Sequence, residues 1–298
     1  MRFVSGLAIV LLALAGACDK KSEGDESATE AAAAAEPEEQ EDNAGPIVDT
    51  GDRLDDNKTF TNYCDDDSAD EGIVATVNAI KNLFPNEKFC GIIEGRLGRT
   101  KDVNLSFLGL TDLRPLRGLN AIETINLAGN NITDLSPLSQ MRGLREVNVS
   151  ANPLTDLSGL SGINGLRILK AFDTDIVDFS SFEGLDSLQE LHAQNLSLAT
   201  DFSGIAALTG LTYLNLSNNT IADLSPVSEL ALLTELNVSG SELANAAGAA
   251  NLTALVTFDA SATPLGTGEV QPDATNCPTD AASTVIANFC ASIPPLVE

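Results

Sequence analysis

Residues 120–141, NAIETINLAGNNITDLSPLSQM, contain the pattern that decides the fold. Ile125 and Leu127 flank the polar Asn126, and this alternation is typical of a short strand with two side chains pointing inward. The apolar residues that follow are spaced by about three positions, which suits tight turns and short 3₁₀ helices better than strand. The stretch therefore predicts one short strand followed by a return path of turns.

Two columns of apolar residues repeat this unit along the chain with a period of 22 residues. The first column, which resumes after one inserted residue at Leu211, consists of Ile122, Leu144, Leu166, Leu188, Leu211, Leu233 and Leu255. The second consists of Val103, Ile125, Val147, Leu169, Leu191, Leu214, Leu236 and Phe258. A fixed period of this length indicates a solenoid, in which each repeat buries its apolar edge against its neighbours.

The turn segments carry a recurring block, DLSPL at residues 134–138. We expect Ser136 to cap a short helical turn and Pro137 to occupy its first position, where a missing N–H has no cost. An asparagine also follows several strands, and a buried amide there is expected to satisfy backbone groups of adjacent coils. These asparagines are Asn130, Asn152 and Asn219.

The combined pattern, LxxLxLxxNxIxxLxxL, resembles the leucine-rich repeat family over about residues 100–265. The 22-residue length and the DLSPL block are similar to those of bacterial internalins and SDS22-type phosphatase regulators. The resemblance implies an α/β leucine-rich-repeat solenoid, a curved right-handed coil with a parallel β-sheet on its concave face and short 3₁₀ or turn segments on its convex face. The ninth repeat position departs from Asn at Thr174, Leu196, Ser241 and Thr263.

The start of the chain is typical of an exported protein. Residues 1–17 read as a signal peptide, because Arg2 precedes an apolar stretch too short for a comfortable membrane span. Residues 15–18, AGAC, resemble a bacterial lipobox, which implies cleavage before Cys18 and a lipid on that residue. Ordinary signal cleavage that leaves a free Cys18 is the alternative. Residues 18–59 are acidic and poor in large apolar residues, so we expect a disordered tether.

Four further cysteines lie on either side of the repeats, at Cys64, Cys90, Cys277 and Cys290. About eight coils at roughly 4.8 Å each separate the two ends by about 30 Å or more. A disulfide needs Cα atoms within about 7 Å. We therefore predict the pairs Cys64–Cys90 and Cys277–Cys290, each closing a small helical cap, over residues 60–99 and 266–298. Metal binding by these cysteines is not expected, because no CxxC spacing is present.

The N-terminal cap is expected to contain a helix over about residues 69–84, started by a capping box at residues 68–71, SADE. The acidic residues 65–67 raise a calcium hypothesis. Their order is not that of an EF-hand loop, and acidic residues before a helix are favoured by its dipole. No metal is assigned there, and calcium stays an open alternative. In the C-terminal cap a short helix is expected to start at Thr279 or Asp280.

Composition and motifs exclude several classes of function. The net charge is −27, from 16 basic and 43 acidic residues, so nucleic acid is not an expected partner. Anionic membrane surfaces should repel the polypeptide, so membrane contact is expected only through the lipid. No glycine-rich phosphate loop is present, and no cofactor is expected. The single histidine, His192, has no Ser or Cys placed to act with it, so we expect no enzymatic activity.

The strand residues that flank the inward positions should line the concave face. At both ends this face consists mainly of Asn and Ser, and the Asn side chains are expected to form amide ladders along the sheet. In the middle the composition changes to a group that we call the central patch, formed by Lys170, Phe172, Glu190, His192, Gln194 and Tyr213. Exposed aromatic residues among mixed charges are typical of interface hot spots, so the patch is predicted to bind a protein or peptide.

Together these features predict a monomeric, non-enzymatic protein–protein interaction module, displayed by a lipid anchor on the bacterial cell envelope, at its periplasmic face or on the cell surface. An adhesin or host-contact protein of the internalin type is one alternative, suggested by the resemblance alone. A structural envelope spacer without a defined ligand is the other.

Overall fold

The computed structural model describes residues 58–294 except 183 and 197. Within these residues the chain forms eight β-strands, four α-helices and seven 3₁₀ helices. The predicted signal peptide, Cys18 and the tether as far as residue 57 lie outside the described residues. Among the helices that are described, none combines the length and the apolar character needed to span a membrane.

The strands form one parallel sheet in which each strand pairs with the next along the chain. They are β1 Asp102–Asn104, β2 Thr124–Asn126, β3 Glu146–Asn148, β4 Ile168–Lys170, β5 Glu190–His192, β6 Tyr213–Asn215, β7 Glu235–Asn237 and β8 Thr257–Asp259. Val103 pairs with Ile125, and Leu191 pairs with Leu214 across the one-residue insertion. The extra residue is therefore accommodated outside the strands, and the predicted solenoid is confirmed.

The 3₁₀ helices form the opposite side of the coil. They are Arg114–Leu116, Ser136–Gln140, Ser158–Leu160, Ser180–Phe182, Ser203–Ala207, Ser225–Val227 and Ala247–Ala249. The prediction that Ser136 caps its turn is wrong: Ser136 is the first helical residue, and Pro137 is the second. The carboxylate of Asp134 instead accepts a hydrogen bond from the Ser136 N–H at 2.7 Å. The Asp134 carboxylate lies two residues before this N–H group and reaches it in a tight Asx turn. Ser136 is itself part of the helix, so its side chain does not take this capping position.

The buried asparagines join neighbouring coils as predicted. Asn130 donates from Nδ2 to the carbonyl oxygens of Leu105 and Leu127, and its Oδ1 accepts from the N–H groups of Leu108 and Leu110. The residues that replace Asn at this position do less. The hydroxyl of Thr174, for example, donates only within its own coil, to the Ala171 carbonyl at 2.8 Å.

The N-terminal cap consists of α1 Phe60–Cys64, α2 Glu71–Asn82 and α3 Cys90–Leu97. The predicted helix is present as α2, whereas the predicted capping box is wrong. Asp70 is the N-cap and accepts from the Ile73 N–H at 2.9 Å. Ser68 is held in the preceding turn, where its N–H and hydroxyl both donate to Asp66. Helices α1 and α3 were not predicted.

Both predicted disulfides are confirmed. Cys64 and Cys90 join the end of α1 to the start of α3, with Cα atoms 5.9 Å apart. In the C-terminal cap, Cys277 and Cys290 have Cα atoms 5.4 Å apart. Each disulfide therefore covers one end of the solenoid.

The helix of the C-terminal cap, α4 Thr284–Ser292, starts later than predicted. The Asp273 carboxylate accepts from the N–H groups of Thr275 and Asn276, so a turn precedes the helix. The Phe289 ring then packs edge-on against Phe258 of β8, with ring centroids 4.9 Å apart.

Candidate functional site

The structure brings the six residues of the central patch together on strands β4 to β6. Lys170 and His192 are paired across β4 and β5, and Glu190 is paired with Tyr213 across β5 and β6. Phe172 and Gln194 follow their strands in the same register. The Asp173 N–H donates to the Gln194 carbonyl at 3.2 Å, which extends that register by one further residue. All six patch residues are half-buried, so each side chain is held by its neighbours and still presents surface to solvent.

The cation of the patch is bound by a residue that the sequence did not identify. Lys170 donates from Nζ to Oε1 of Glu146 at 2.6 Å. Glu146 lies on β3 opposite Ile168, so the contact runs diagonally between neighbouring strands, within reach of a long side chain. Glu146 occupies the outward position before the inward residue of β3, one coil before Lys170. That position in the sequence could have indicated Glu146 as the partner of Lys170. The Lys170–Glu146 ion pair closes the N-terminal side of the patch.

His192 lies at the centre of the patch as a neutral aromatic group. Its ring centroid is 4.7 Å from that of Tyr213, and its Nε2 is 4.0 Å from Oε2 of Glu190. Burial lowers the pKa of His192 below its usual 6.5, and the Lys170 charge lowers it further against the opposing effect of Glu190. At neutral pH the ring therefore offers an apolar face and one hydrogen-bond acceptor.

Phe172 has an unsatisfied oxygen atom on each side of it in its column. Ser150 precedes it by one coil and Gln194 follows it by one coil. The Ser150 Oγ and the Gln194 Oε1 are both buried, and neither has a hydrogen-bond partner among the described residues. A buried polar atom without a partner raises the free energy of the folded state by about 1–3 kcal/mol. The two atoms therefore mark a locally unfavourable spot in the packing on either side of Phe172.

The column of asparagines on the sheet does not form the predicted amide ladders. Each side-chain oxygen instead accepts from the backbone N–H two residues later in its own coil, as Asn148 does from Ser150 at 3.1 Å. The same bond is made by Asn104, Asn126, Asn215 and Asn237. The local turn wins because the N–H just after the strand needs an acceptor that neighbouring strands do not supply. The column is thus structural.

The acidic residues near α2 are occupied by contacts within the cap. Asp66 accepts from Ser68, which lowers the pKa of the Asp66 carboxyl, and it lies 3.7 Å from Lys58. In the described part of the chain, the one cluster with metal-ligand spacing consists of Cys64, Asp65 and Cys90. Both cysteines are in a disulfide, so their sulfur atoms are not free thiolates for a metal ion.

The charge distribution marks the same region of the solenoid. Lys170 is the last Lys or Arg in the chain. Residues 58–170 contain 12 Lys or Arg and 13 Asp or Glu, whereas residues 171–298 contain 16 Asp or Glu and no Lys or Arg. The central patch therefore lies at the boundary between a nearly neutral half and a strongly anionic half. This signal was visible in the sequence and was not used in the prediction.

Comparisons with known proteins agree with the observed coils. Two family models match, "Leucine Rich repeats (2 copies)" over residues 120–162 and "Leucine Rich Repeat" over residues 210–230. Internalin C2 from Listeria monocytogenes is 28% identical with a TM-score of 0.57, and the match covers 63% of this chain and 84% of that chain.

A leucine-rich-repeat protein of Leptospira interrogans shares the fold, with 24% identity and a TM-score of 0.52. That match covers 59% of this chain and 47% of the other. A comparison with curated protein sequences finds no match. The repeat models match two parts of the coil region, and the parallel sheet with its 3₁₀ coils is similar to the fold of internalin C2.

Proposed function

We propose that this protein is displayed on the bacterial cell envelope by a lipid on Cys18 and binds a protein or peptide through the central patch. Leucine-rich-repeat chains of this kind are typically non-enzymatic protein-interaction modules. The observation that carries the proposal is the grouping of half-buried Phe172, His192 and Tyr213 on successive coils, with His192 and Tyr213 in ring contact, beside the Lys170–Glu146 ion pair. Aromatic side chains that are already held in place lose little entropy on binding.

The composition of the patch favours a protein or peptide ligand. The three rings supply apolar area, which gives most of the binding free energy when a partner covers it. Glu190 and Gln194 at the edge offer charged and amide groups that select the partner by hydrogen bonding. The Asn and Ser residues on either side are neutral and small, so they allow a broad partner to approach the sheet closely.

The binding half of the proposal is tested by affinity capture from envelope extract with the oxidised full chain as bait. The test variant is Phe172→Ala/His192→Ala/Tyr213→Ala. The matched control is Glu235→Ala/Thr257→Ala, which changes exposed side chains farther along the same sheet face. We expect a partner that is retained by the wild type and the control, and that binds the test variant at least about 30-fold more weakly when purified.

If all three baits recover the same proteins with the same affinity, the central patch is not the binding site. If no bait captures anything from the envelope, the same three baits are applied to host-cell surfaces. Patch-dependent capture there would support the internalin-type adhesin alternative, and its absence would favour the spacer.

The anchoring half has a separate test. Cells are grown with an alkyne-labelled fatty acid, and the wild type is compared with Cys18→Ser. Incorporation of label that is lost in Cys18→Ser supports a lipid on that residue, whereas equal labelling of both refutes it. Protease added to intact cells then distinguishes surface exposure from a periplasmic location.

A further inference from the structure

A groove of about 630 Å³ lies beside the loops that lead into β3 and β4, and none of its described lining residues belongs to the central patch. Its lining includes Arg142, Arg145, Ser139, Ser161, Asn164 and Gly165, and we call it the arginine groove. No carboxylate is found among the described residues that line it. The described lining thus offers two arginines and no carboxylate, in a chain with a net charge of −27.

The coil geometry places cations next to one another at this site. A side chain at Gly165 would put its Cβ 2.1 Å from Nη1 of Arg145, so the glycine leaves the space that the guanidinium occupies. The Arg145 Nη1 is held there by the Leu144 carbonyl oxygen at 3.0 Å. The Arg167 N–H donates to the Arg145 carbonyl at 2.8 Å, which places Arg167 in the next coil at the equivalent position. Like charges in neighbouring coils repel each other.

Among the described residues, carboxylates compensate this positive charge only in part. Glu123 precedes Arg145 by one coil, and its Oε1 accepts from Lys101 at 2.6 Å. This hydrogen bond is the main cause that lowers the pKa of the Glu123 carboxyl, and the Arg145 charge lowers it further. In the part of the chain that the structure describes, the guanidinium groups of Arg142 and Arg167 have neither a hydrogen-bond nor an ion-pair partner. Arg114, by contrast, binds the carboxylates of Asp70 and Asp112.

We propose that the arginine groove binds a phosphoryl oxyanion. The planar guanidinium fork of an arginine matches two phosphate oxygens. Two arginines carry two positive charges, which balance the charge of a phosphoryl dianion, whereas a carboxylate ligand carries only one negative charge. The Ser161 hydroxyl and the Asn164 amide line the same groove and supply neutral donors for the remaining oxygens. The site is independent of the central patch and of the partner that binds there.

The test is a titration of the oxidised, isotope-labelled full chain with inorganic pyrophosphate at constant ionic strength, followed by NMR. The variant Arg142→Gln/Arg145→Gln is compared with Lys88→Gln/Arg99→Gln, which removes the same charge from exposed positions in the N-terminal cap. We expect saturable shifts of the Gly162, Asn164 and Gly165 amides. The groove variant should bind at least about tenfold more weakly, because hydrogen bonds to charged groups are lost, while the control stays near the wild type.

A second arm identifies the source of the phosphoryl group. Vesicles of phosphatidylcholine with phosphatidylglycerol present it as a lipid headgroup, and pyrophosphate presents it as a soluble anion. Binding in either arm that depends on Arg142 and Arg145 supports the proposal and names the source. Equal weakening in both variants would reduce the effect to net charge and overturn the proposal, as would the absence of saturable shifts in both arms.

Discussion

At the scale of single residues, buried polar side chains form hydrogen bonds with backbone N–H and carbonyl groups that no strand or helix satisfies. Asn152 is nearly inaccessible to solvent, and its amide donates to the carbonyl oxygens of Leu127 and Val149. Its Oδ1 accepts from the Ile132 N–H in the previous coil. One side chain thus satisfies backbone groups of two coils, which explains the asparagine at this repeat position.

Asn152→Leu should lower the free energy of unfolding by about 2–4 kcal/mol, because several buried backbone groups lose their partners together. Thr174→Val is the matched control, since Thr174 makes one such bond and the change should cost about 1 kcal/mol. Denaturant unfolding of both variants measures the difference. Equal losses would show that burial of the side chain, not its hydrogen bonds, stabilises the coil.

His192 gives a second prediction at this scale, and as the single histidine it is observed without overlap by NMR. Lys170→Met should raise the pKa of His192, because a nearby positive charge is removed and Glu146 and Glu190 remain. In the wild type the lowered pKa means that the unfolded chain binds the proton first as the pH falls. Stability should therefore decrease below about pH 6.5, and this decrease should be absent in His192→Gln. An unchanged pKa in Lys170→Met would contradict the assigned cause.

At the scale of the repeating element, the backbones of successive 3₁₀ segments are in direct contact where one of them carries glycine. A Cβ on Gly159 would lie 2.3 Å from the carbonyl carbon of Leu135 in the previous coil. Gly204 and Gly248 meet the preceding coil in the same way, at Phe179 and Leu224. These three glycines occupy the position that Pro137 has in the DLSPL block. Glycine at this position therefore reflects how closely the backbones of successive coils approach.

Gly159→Ala should destabilise the protein by about 1–3 kcal/mol, because the added methyl group forces two coils apart. Gly162→Ala in the same coil is the control: its Cβ would lie 3.5 Å from the Ser139 carbonyl oxygen, an ordinary contact. That variant should stay within about 0.5 kcal/mol of the wild type. Thermal unfolding distinguishes the two, and similar losses in both would argue against a tight approach at Gly159.

At the scale of the whole molecule, the apolar core is continuous, whereas the surface charge differs between the two halves of the solenoid. Buried apolar side chains extend without a break from the N-terminal cap to the C-terminal cap. The surface of residues 171–298 carries only negative formal charge apart from a neutral His192, so adjacent coils in that half repel one another. In a solenoid, stability is close to a sum over neighbouring coils, and repulsion should therefore lower it locally.

Raising the salt concentration should selectively protect the C-terminal coils. Between about 0.01 M and 0.15 M the Debye length falls from about 30 Å to about 8 Å, which screens the repulsion between exposed carboxylates. Amide hydrogen exchange should slow in β6 to β8 and change little in β1 to β3. A uniform response along the sheet would show that the charge distribution does not set local stability.

Much of the architecture followed from the sequence because the interactions repeat. Each coil makes the same backbone bonds to the next, so the positions of Ile125 and Leu127 in one unit predict the strands of all the others. The disulfide pairing followed from the length of the solenoid, which keeps Cys64 and Cys277 far apart. The buried asparagine bridges were predictable for the same reason, since they depend on one repeat position.

Contacts between side chains that do not repeat were decided only by the tertiary structure. The N-cap of α2 is Asp70, where Arg114 from the first coil also binds. The pairing of Lys170 with Glu146, and the grouping of Arg142 and Arg145 in one groove, depend on which side chains meet between neighbouring coils. The apolar period alone determined the solenoid, because every coil must bury the same edge. The specific surfaces required the folded chain, because residues about 22 positions apart combine there in ways that no local pattern encodes.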